Sequence, residues 1–110
     1  QEVIIHQRTA DALVNGRVTE FKIIHKATNL KNAVQKQLRK GKRQAPRVLL
    51  YISTEIQLDS LLLGIFNAVK FDSEGMLQQV VIWHSGQIVE LNRAEILDGS
   101  FMKKIKDGLK

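Results

Sequence analysis

The stretch DALVNGRVTEFK, residues 11–22, places Asn15-Gly16 between two runs of alternating apolar residues. An Asn-Gly pair in this setting is the strongest short-range signal for a β-hairpin with a two-residue turn. With these residues as the turn, Asp11 lies opposite Glu20, and Lys22 lies diagonal to Asp11 on the same surface. The sequence therefore predicts a hairpin that brings two carboxylates and one ammonium group together.

The remainder of the chain alternates between strand and helix patterns. A first helix is predicted over 29–40, with Thr28 as its N-cap. A second begins at a capping box at 54–57 and ends near Val69. A third is predicted over 94–109, with a break at Gly99. The near-continuous apolar run 47–53 is typical of a central strand covered on both faces. Strands are predicted at residues 2–6, 10–14, 17–24, 47–53, 77–84 and 87–92. We interpret residues 1–110 as one domain of mixed α+β class, with a central mixed sheet and flanking helices.

Lysine and arginine outnumber aspartate and glutamate by 17 to 11, which gives a formal net charge of +6. Such a charge attracts polyanions, chiefly nucleic acid, or an acidic protein partner. Residues 31–43 are rich in cations and contain no acid, so they form either a phosphate-binding surface or only a solvated helix face. The predicted nucleic-acid contacts are Lys31, Lys36, Arg39, Lys40, Lys42 and Arg43, together with His84 beside the later turn.

Several other functions are excluded or disfavoured by composition. The chain has no cysteine, so disulfides and cysteine-ligated metals are excluded. The longest apolar runs, 61–63 and 80–83, are too short to cross a bilayer, so we expect no stable membrane insertion of this domain. The segment Gly41-Lys42-Arg43 lacks the glycine spacing and the following helix of a P-loop.

The predicted hairpin trio suits phosphate chemistry that depends on a metal. Asp11 and Glu20 are the candidate ligands of a divalent cation such as Mg²⁺ or Zn²⁺, which would lower the pKa of a bound water. Lys22 would orient the nucleophile or stabilise developing charge. The alternative is a surface ion network without catalytic function, worth only about 0–1 kcal/mol per pair.

A second mechanism needs no metal. Ribonucleases can use the RNA 2′-hydroxyl as an internal nucleophile, which requires a general base, a general acid and a cation. His25, Thr28 and Lys22 lie near the end of the second hairpin strand, and imidazole is suited to proton transfer near neutral pH. These residues are therefore also candidates for the catalytic group.

The spacing D-x8-E-x-K resembles the PD-(D/E)XK motif of the restriction-endonuclease-like superfamily. Residues 10–52 as a whole, with Arg43-Gln44-Ala45 after the basic helix and the apolar strand that follows, resemble the C-terminal nuclease domains of contact-dependent growth inhibition toxins. Residues 80–91, VVIWHSGQIVEL, resemble the closing hairpin of those domains. Ala10 stands where the motif has proline.

The resemblance implies a C-terminal fragment of a larger antibacterial effector, secreted or at the cell surface and delivered into the cytoplasm of a target cell. It implies an endonuclease that most often cleaves tRNA, is neutralised by a cognate immunity protein and in some cases needs a host activating factor. Toxins of this group have either a restriction-endonuclease-like fold or a metal-independent fold like that of the Barnase/EndoU/colicin/RelE group. A metal-dependent DNase and a non-catalytic nucleic-acid-binding module remain the alternatives.

Overall fold

The computed structural model describes residues 3–5, 12–14 and 17–109, with side chains described for residues 18–109. Six strands form one sheet and are hydrogen-bonded in chain order. They are β1 (Val3–Ile5), β2 (Ala12–Val14), β3 (Arg17–Ile24), β4 (Arg47–Ile52), β5 (Gln79–His84) and β6 (Gln87–Asn92). The three inner strands β3, β4 and β5 are parallel, whereas β1, β2 and β6 each pair antiparallel with their neighbours. The predicted mixed sheet with flanking helices is therefore confirmed.

Both predicted hairpins are present. In the first, Ala12 pairs with Thr19, and Val14 pairs with Arg17, as the sequence predicts. The Asn15-Gly16 turn and Asp11 lie outside the described residues. In the second hairpin, Ser85 and Gly86 have φ values of +48° and +76°, and positive φ at both central residues is the requirement of a type I′ turn.

Within the described ranges, four helices connect or follow the strands: α1 (Leu30–Gly41), α2 (Leu58–Lys70), α3 (Arg93–Asp98) and α4 (Phe101–Gly108). The break at Gly99 is confirmed, because this residue adopts the left-handed conformation with φ +87°. The two predicted N-caps are wrong. Asn29, not Thr28, caps α1 by accepting a hydrogen bond from Asn32 N. The helix α2 starts at Leu58, four residues after Thr54, and its N-cap Gln57 makes no side-chain capping bond.

The two faces of the sheet differ in what covers them. Even-numbered residues of β4 and β5, such as Val48 and Ile82, pack with the helices in the main core. Their odd-numbered neighbours Leu49 and Val81 form a separate small cluster on the other face. No helix residue of the described ranges belongs to this second cluster. The central strand β4 is buried on both faces, as predicted, since Leu49 and Leu50 are both fully buried. The helices of the described ranges pack on one face of the sheet, and we call the other one the open face.

The contact between α1 and α2 depends on Gly64. A Cβ added there would stand 2.9 Å from the carbonyl oxygen of Lys31 and 2.9 Å from the Cβ of Val34. We expect Gly64→Ala to lower the free energy of unfolding by about 1 kcal/mol, because the steric cost exceeds the gain in helix propensity. Urea denaturation would measure this effect, with Ser60→Ala in the same helix as a control that stays within about 0.5 kcal/mol. A more stable Gly64→Ala variant would contradict the close approach of the helices.

Candidate functional site

Two of the predicted catalytic residues, Glu20 and Lys22, are brought together on β3. Their side chains form an ion pair with Nζ to Oε2 at 3.2 Å. Both point to the helix-covered face, since they occupy the even positions shared with buried Ile24. The Glu20 side chain is only 4% exposed, whereas that of Lys22 is 24% exposed. The lysine is therefore the accessible member of this pair.

Of the two predicted cation ligands, only Glu20 lies among the described residues. The Glu20 carboxylate already accepts the lysine ammonium, and its predicted partner Asp11 lies outside the described residues. The described part of the chain contains no group of three or more histidine, cysteine, aspartate or glutamate residues that could hold a metal. The described residues thus do not present the paired, open carboxylates that Mg²⁺ needs.

A second group of polar side chains lies where the parallel strands end. The strands β3, β4 and β5 finish at Ile24, Ile52 and His84, and parallel strands present their carboxyl ends at one edge of a sheet, a common location for ligand sites. His25 follows β3 and is exposed, and its Nδ1 lies 3.0 Å from the Ser53 hydroxyl. Because the Ser53 hydroxyl is also 3.4 Å from the carbonyl of Ile24, it can donate there and accept the imidazole Nδ1–H.

His84 reaches the same edge from β5. Its Nδ1 lies 2.8 Å from the carbonyl oxygen of Ile52. A carbonyl can only accept, so Nδ1 carries the proton and the neutral ring presents a basic Nε2. The Ser85 hydroxyl lies 3.4 Å from that Nε2. The tertiary structure therefore holds both histidines against two consecutive residues, Ile52 and Ser53; we call His25, Ser53 and His84 the carboxyl-edge group.

The carboxyl-edge group has the composition that acid–base chemistry on RNA needs. Two imidazoles, each oriented through Nδ1, can hold or release a proton at Nε2. Thr28 is exposed in the loop between β3 and α1, and Lys31 occupies the first turn of α1. Both belong to the connection that leaves this edge, so a hydroxyl and an ammonium group follow His25 after three and six residues.

Most of the predicted nucleic-acid contacts lie at the opposite end of α1. This helix runs back from the carboxyl edge towards the start of β4, and the eight residue steps from Lys31 to Arg39 rise about 12 Å along its axis. Its buried face is formed by Leu30, Val34 and Leu38. The exposed cations of the segment are Lys36, Arg39, Lys40 and Arg43.

Lys42 differs from these four cations because it is bound within the protein. Its Nζ lies 3.1 Å from Oδ1 of Asp72, whose side chain is fully buried. Arg93 contacts the other oxygen of Asp72 at 2.8 Å, and Leu77 N donates to that oxygen at 2.7 Å. Burial alone would raise the pKa of Asp72, but these hydrogen bonds and both cations outweigh it and lower the pKa below its ordinary value. Lys42 thus joins α1 to the loop after α2.

Sequence reasoning missed Ser53, Asp72 and Arg93. The sequence does contain a signal for Ser53. The predicted strands 17–24 and 77–84 end at or beside a histidine, and parallel pairing with the strand 47–53 would bring Ser53 next to these histidines. No local signal identifies Asp72 as a buried ion-pair centre, because its partners lie 30 and 21 residues away. A further polar group, in which buried Arg47 donates to Thr19 and Glu90 on the open face, also joins distant residues.

Comparison with known proteins identifies one family. The family model described as contact-dependent growth inhibition CdiA C-terminal domain matches residues 8–88. The matched region contains β3, α1, β4, α2 and β5, and with them the whole carboxyl-edge group. No curated protein and no solved structure gives a significant match to this chain. None of the helices in the described ranges is long and apolar enough to span a membrane.

Proposed function

This chain belongs to the family of contact-dependent growth inhibition CdiA C-terminal domains, and on that premise we propose that it is an endoribonuclease toxin that cleaves tRNA. CdiA is a cell-surface effector that delivers its C-terminal domain into target cells, and such toxin domains work with an immunity protein. Domains of this family are commonly nucleases. The proposal concerns the activity, the substrate and the residues responsible.

The observation that carries the proposal is the convergence of His25 and His84 on Ile52 and Ser53. In the proposed reaction, His84 Nε2 removes the proton of an RNA 2′-hydroxyl, and the 2′-oxygen attacks the adjacent phosphorus. The bond from phosphorus to the 5′-oxygen breaks, and protonated His25 gives its proton to that oxygen. The products are a 2′,3′-cyclic phosphate and a 5′-hydroxyl, so no water and no redox partner is consumed.

The cations contribute by stabilising phosphate charge. Among the cations of α1, Lys31 lies closest along the chain to His25, and it is the proposed partner of the scissile phosphate, with Thr28 as a neighbouring hydroxyl. Lys22, held by Glu20, is a further proposed phosphate contact. Asp11 and Glu20 remain the proposed ligands for the metal-dependent alternative.

The placement of the remaining cations favours a substrate that extends beyond the nucleotides at the cleaved bond. Lys36, Arg39, Lys40 and Arg43 lie towards the end of α1 that is remote from the histidines. A substrate that contacts both regions must extend over more than about 12 Å, the rise from Lys31 to Arg39. A tRNA meets this requirement, because its phosphate backbone extends well beyond the nucleotide that is cleaved. Binding should accordingly weaken as salt concentration rises.

The direct test is incubation of the purified protein with total RNA, with and without a chelator. We expect discrete tRNA fragments that end in a cyclic phosphate, with the same yield in both samples. In parallel, supercoiled plasmid is incubated with Mg²⁺ or Zn²⁺. If the protein cleaves the plasmid, the chelator stops this cleavage and the RNA stays intact, the DNase alternative replaces the proposal. Salt-dependent binding without any cleaved product would indicate a non-catalytic module.

A further inference from the structure

Three aromatic side chains form a cluster on the open face of the sheet. Phe21 on β3 and Tyr51 on β4 both contact Trp83 on β5. The Phe21 and Trp83 ring centroids are 6.4 Å apart at an angle of 87°, and those of Tyr51 and Trp83 are 5.0 Å apart at 57°. All three side chains are partly exposed, and their mutual contacts fix the orientation of the tryptophan ring. We call these residues the aromatic platform.

The aromatic platform is continuous with the carboxyl-edge group. Residues two apart on a strand point to the same face. Ser53 follows Tyr51 by two residues, so we expect it on the open face as well. The same relation joins Ile23, which is 43% exposed, to His25. Trp83 immediately precedes His84. An extended chain that crosses the platform would therefore reach Ser53 and His25. His84, at an even position of β5 like Ile82, points to the helix-covered face of the same edge.

We propose that the aromatic platform stacks unpaired bases of an RNA strand and so selects a single-stranded segment, such as a loop, for cleavage at the carboxyl-edge group. The inference rests on the proposed function, which supplies the RNA, and adds the structural class of the segment that is cut. Exposed rings on a sheet face can stack on bases only when those bases are splayed out, whereas the bases of an A-form duplex are stacked on one another. Stacking on aromatic rings tolerates any base, because every base has a π-face.

Charge and chemistry favour RNA as the occupant of this face. The chain carries a net charge of +6, which attracts a polyanion. The three partly exposed rings lie at the centre of this face, and the exposed His25 and Lys26 follow Phe21 at the end of β3. The face therefore offers aromatic rings to bases and a cation, Lys26, to phosphates.

Trp83 provides a direct reporter, because it is the chain's single tryptophan. The full chain carrying His25→Ala, to prevent cleavage, is titrated with an unpaired 12-nucleotide RNA and with the same RNA in a duplex. We expect saturable quenching of tryptophan fluorescence by the single strand and at least tenfold weaker binding of the duplex. Tyr51→Leu should weaken single-strand binding by roughly tenfold to a hundredfold, whereas Tyr51→Phe should retain it, because stacking needs only the ring.

The matched control is Phe71→Leu, which removes an exposed aromatic ring next to α2, 69% exposed and outside the aromatic platform. This variant should bind the single strand as the parent does, and circular dichroism and urea denaturation should give the same fold for all three variants. Equal binding of strand and duplex, or unchanged binding by Tyr51→Leu, would overturn the inference. If the wild type cleaves RNA but Tyr51→Leu binds the single strand as tightly as the parent, the aromatic platform is rejected and the proposed function stands. If single-stranded RNA binds at the aromatic platform but the wild type does not cleave it, the proposed function is rejected and the platform stands.

Discussion

Replacing His84 with alanine should lower the rate of RNA cleavage by about 10²- to 10⁴-fold, the usual contribution of a positioned general acid or base. The change removes the basic Nε2 and also the Nδ1–H that donates to Ile52 at 2.8 Å. His25→Ala should produce a loss of the same order, since the reaction needs both a proton acceptor and a proton donor. Single-turnover cleavage of a labelled tRNA, followed on a denaturing gel, measures both rates.

A structural role for His84 predicts different behaviour from a catalytic one. His84→Asn keeps an N–H that can donate to the Ile52 carbonyl but has no titrating nitrogen, so it should be as inactive as the alanine variant and more stable. Gln87→Ala, directly across the ladder from His84, should cleave at the parent rate. Activity in His84→Asn, or full activity in His84→Ala with an intact fold, would show that His84 transfers no proton.

Asp72→Asn should lower the free energy of unfolding by about 3 kcal/mol at neutral pH, because it leaves two largely buried cations without their counter-charge. The side chains of Lys42 and Arg93 are only 16% and 22% exposed, and that of Asp72 is fully buried. Asparagine still offers an oxygen to Leu77 N, so the effect reports the loss of charge. Urea denaturation measures it, and Asp59→Asn, an exposed carboxylate in the first turn of α2, is the control and should stay within about 0.5 kcal/mol.

The same variant makes a prediction for pH. The pKa of Asp72 in the folded state is lowered from its ordinary value of 3.8. Because the pKa of Asp72 is lower in the folded than in the unfolded state, its ionised carboxylate contributes fully to stability at pH values above the unfolded-state pKa. This contribution is lost as the pH falls through the folded-state pKa. The stability difference between wild type and Asp72→Asn should therefore be constant above about pH 5 and shrink below the ordinary value. A difference that grows on acidification would contradict the assigned ion pairs.

Much of the fold could be predicted from short-range patterns. The Ser85-Gly86 hairpin and the break at Gly99 follow from backbone conformations that few residues adopt. The helix over 30–41 follows from the spacing of Leu30, Val34 and Leu38. Helix starts were harder, because several polar residues before each helix could serve as the N-cap, and packing decides among them. Asn29 therefore replaces Thr28, and the helix α2 begins after Thr54 rather than at it.

The candidate site was only partly accessible to the same reasoning. Strand alternation correctly predicts that Glu20 and Lys22 share a surface, because a period of two residues is a local property. It does not reveal that this surface is the one beneath the helices, where Glu20 is nearly inaccessible. The charge of the segment 31–43 likewise predicts a basic helix but not the ion pair that engages Lys42 with Asp72.

The order of strands and helices, the hairpin registers and the net positive charge follow from residue type and from neighbours a few positions away. Which side chains meet depends instead on how distant segments pack. His25 and His84 come to one edge because two crossovers, through α1 and α2, align β3, β4 and β5 in parallel. That alignment brings together residues 28 and 32 positions apart, a distance over which pairing is decided by the burial of one sheet face beneath the helices and not by any local pattern.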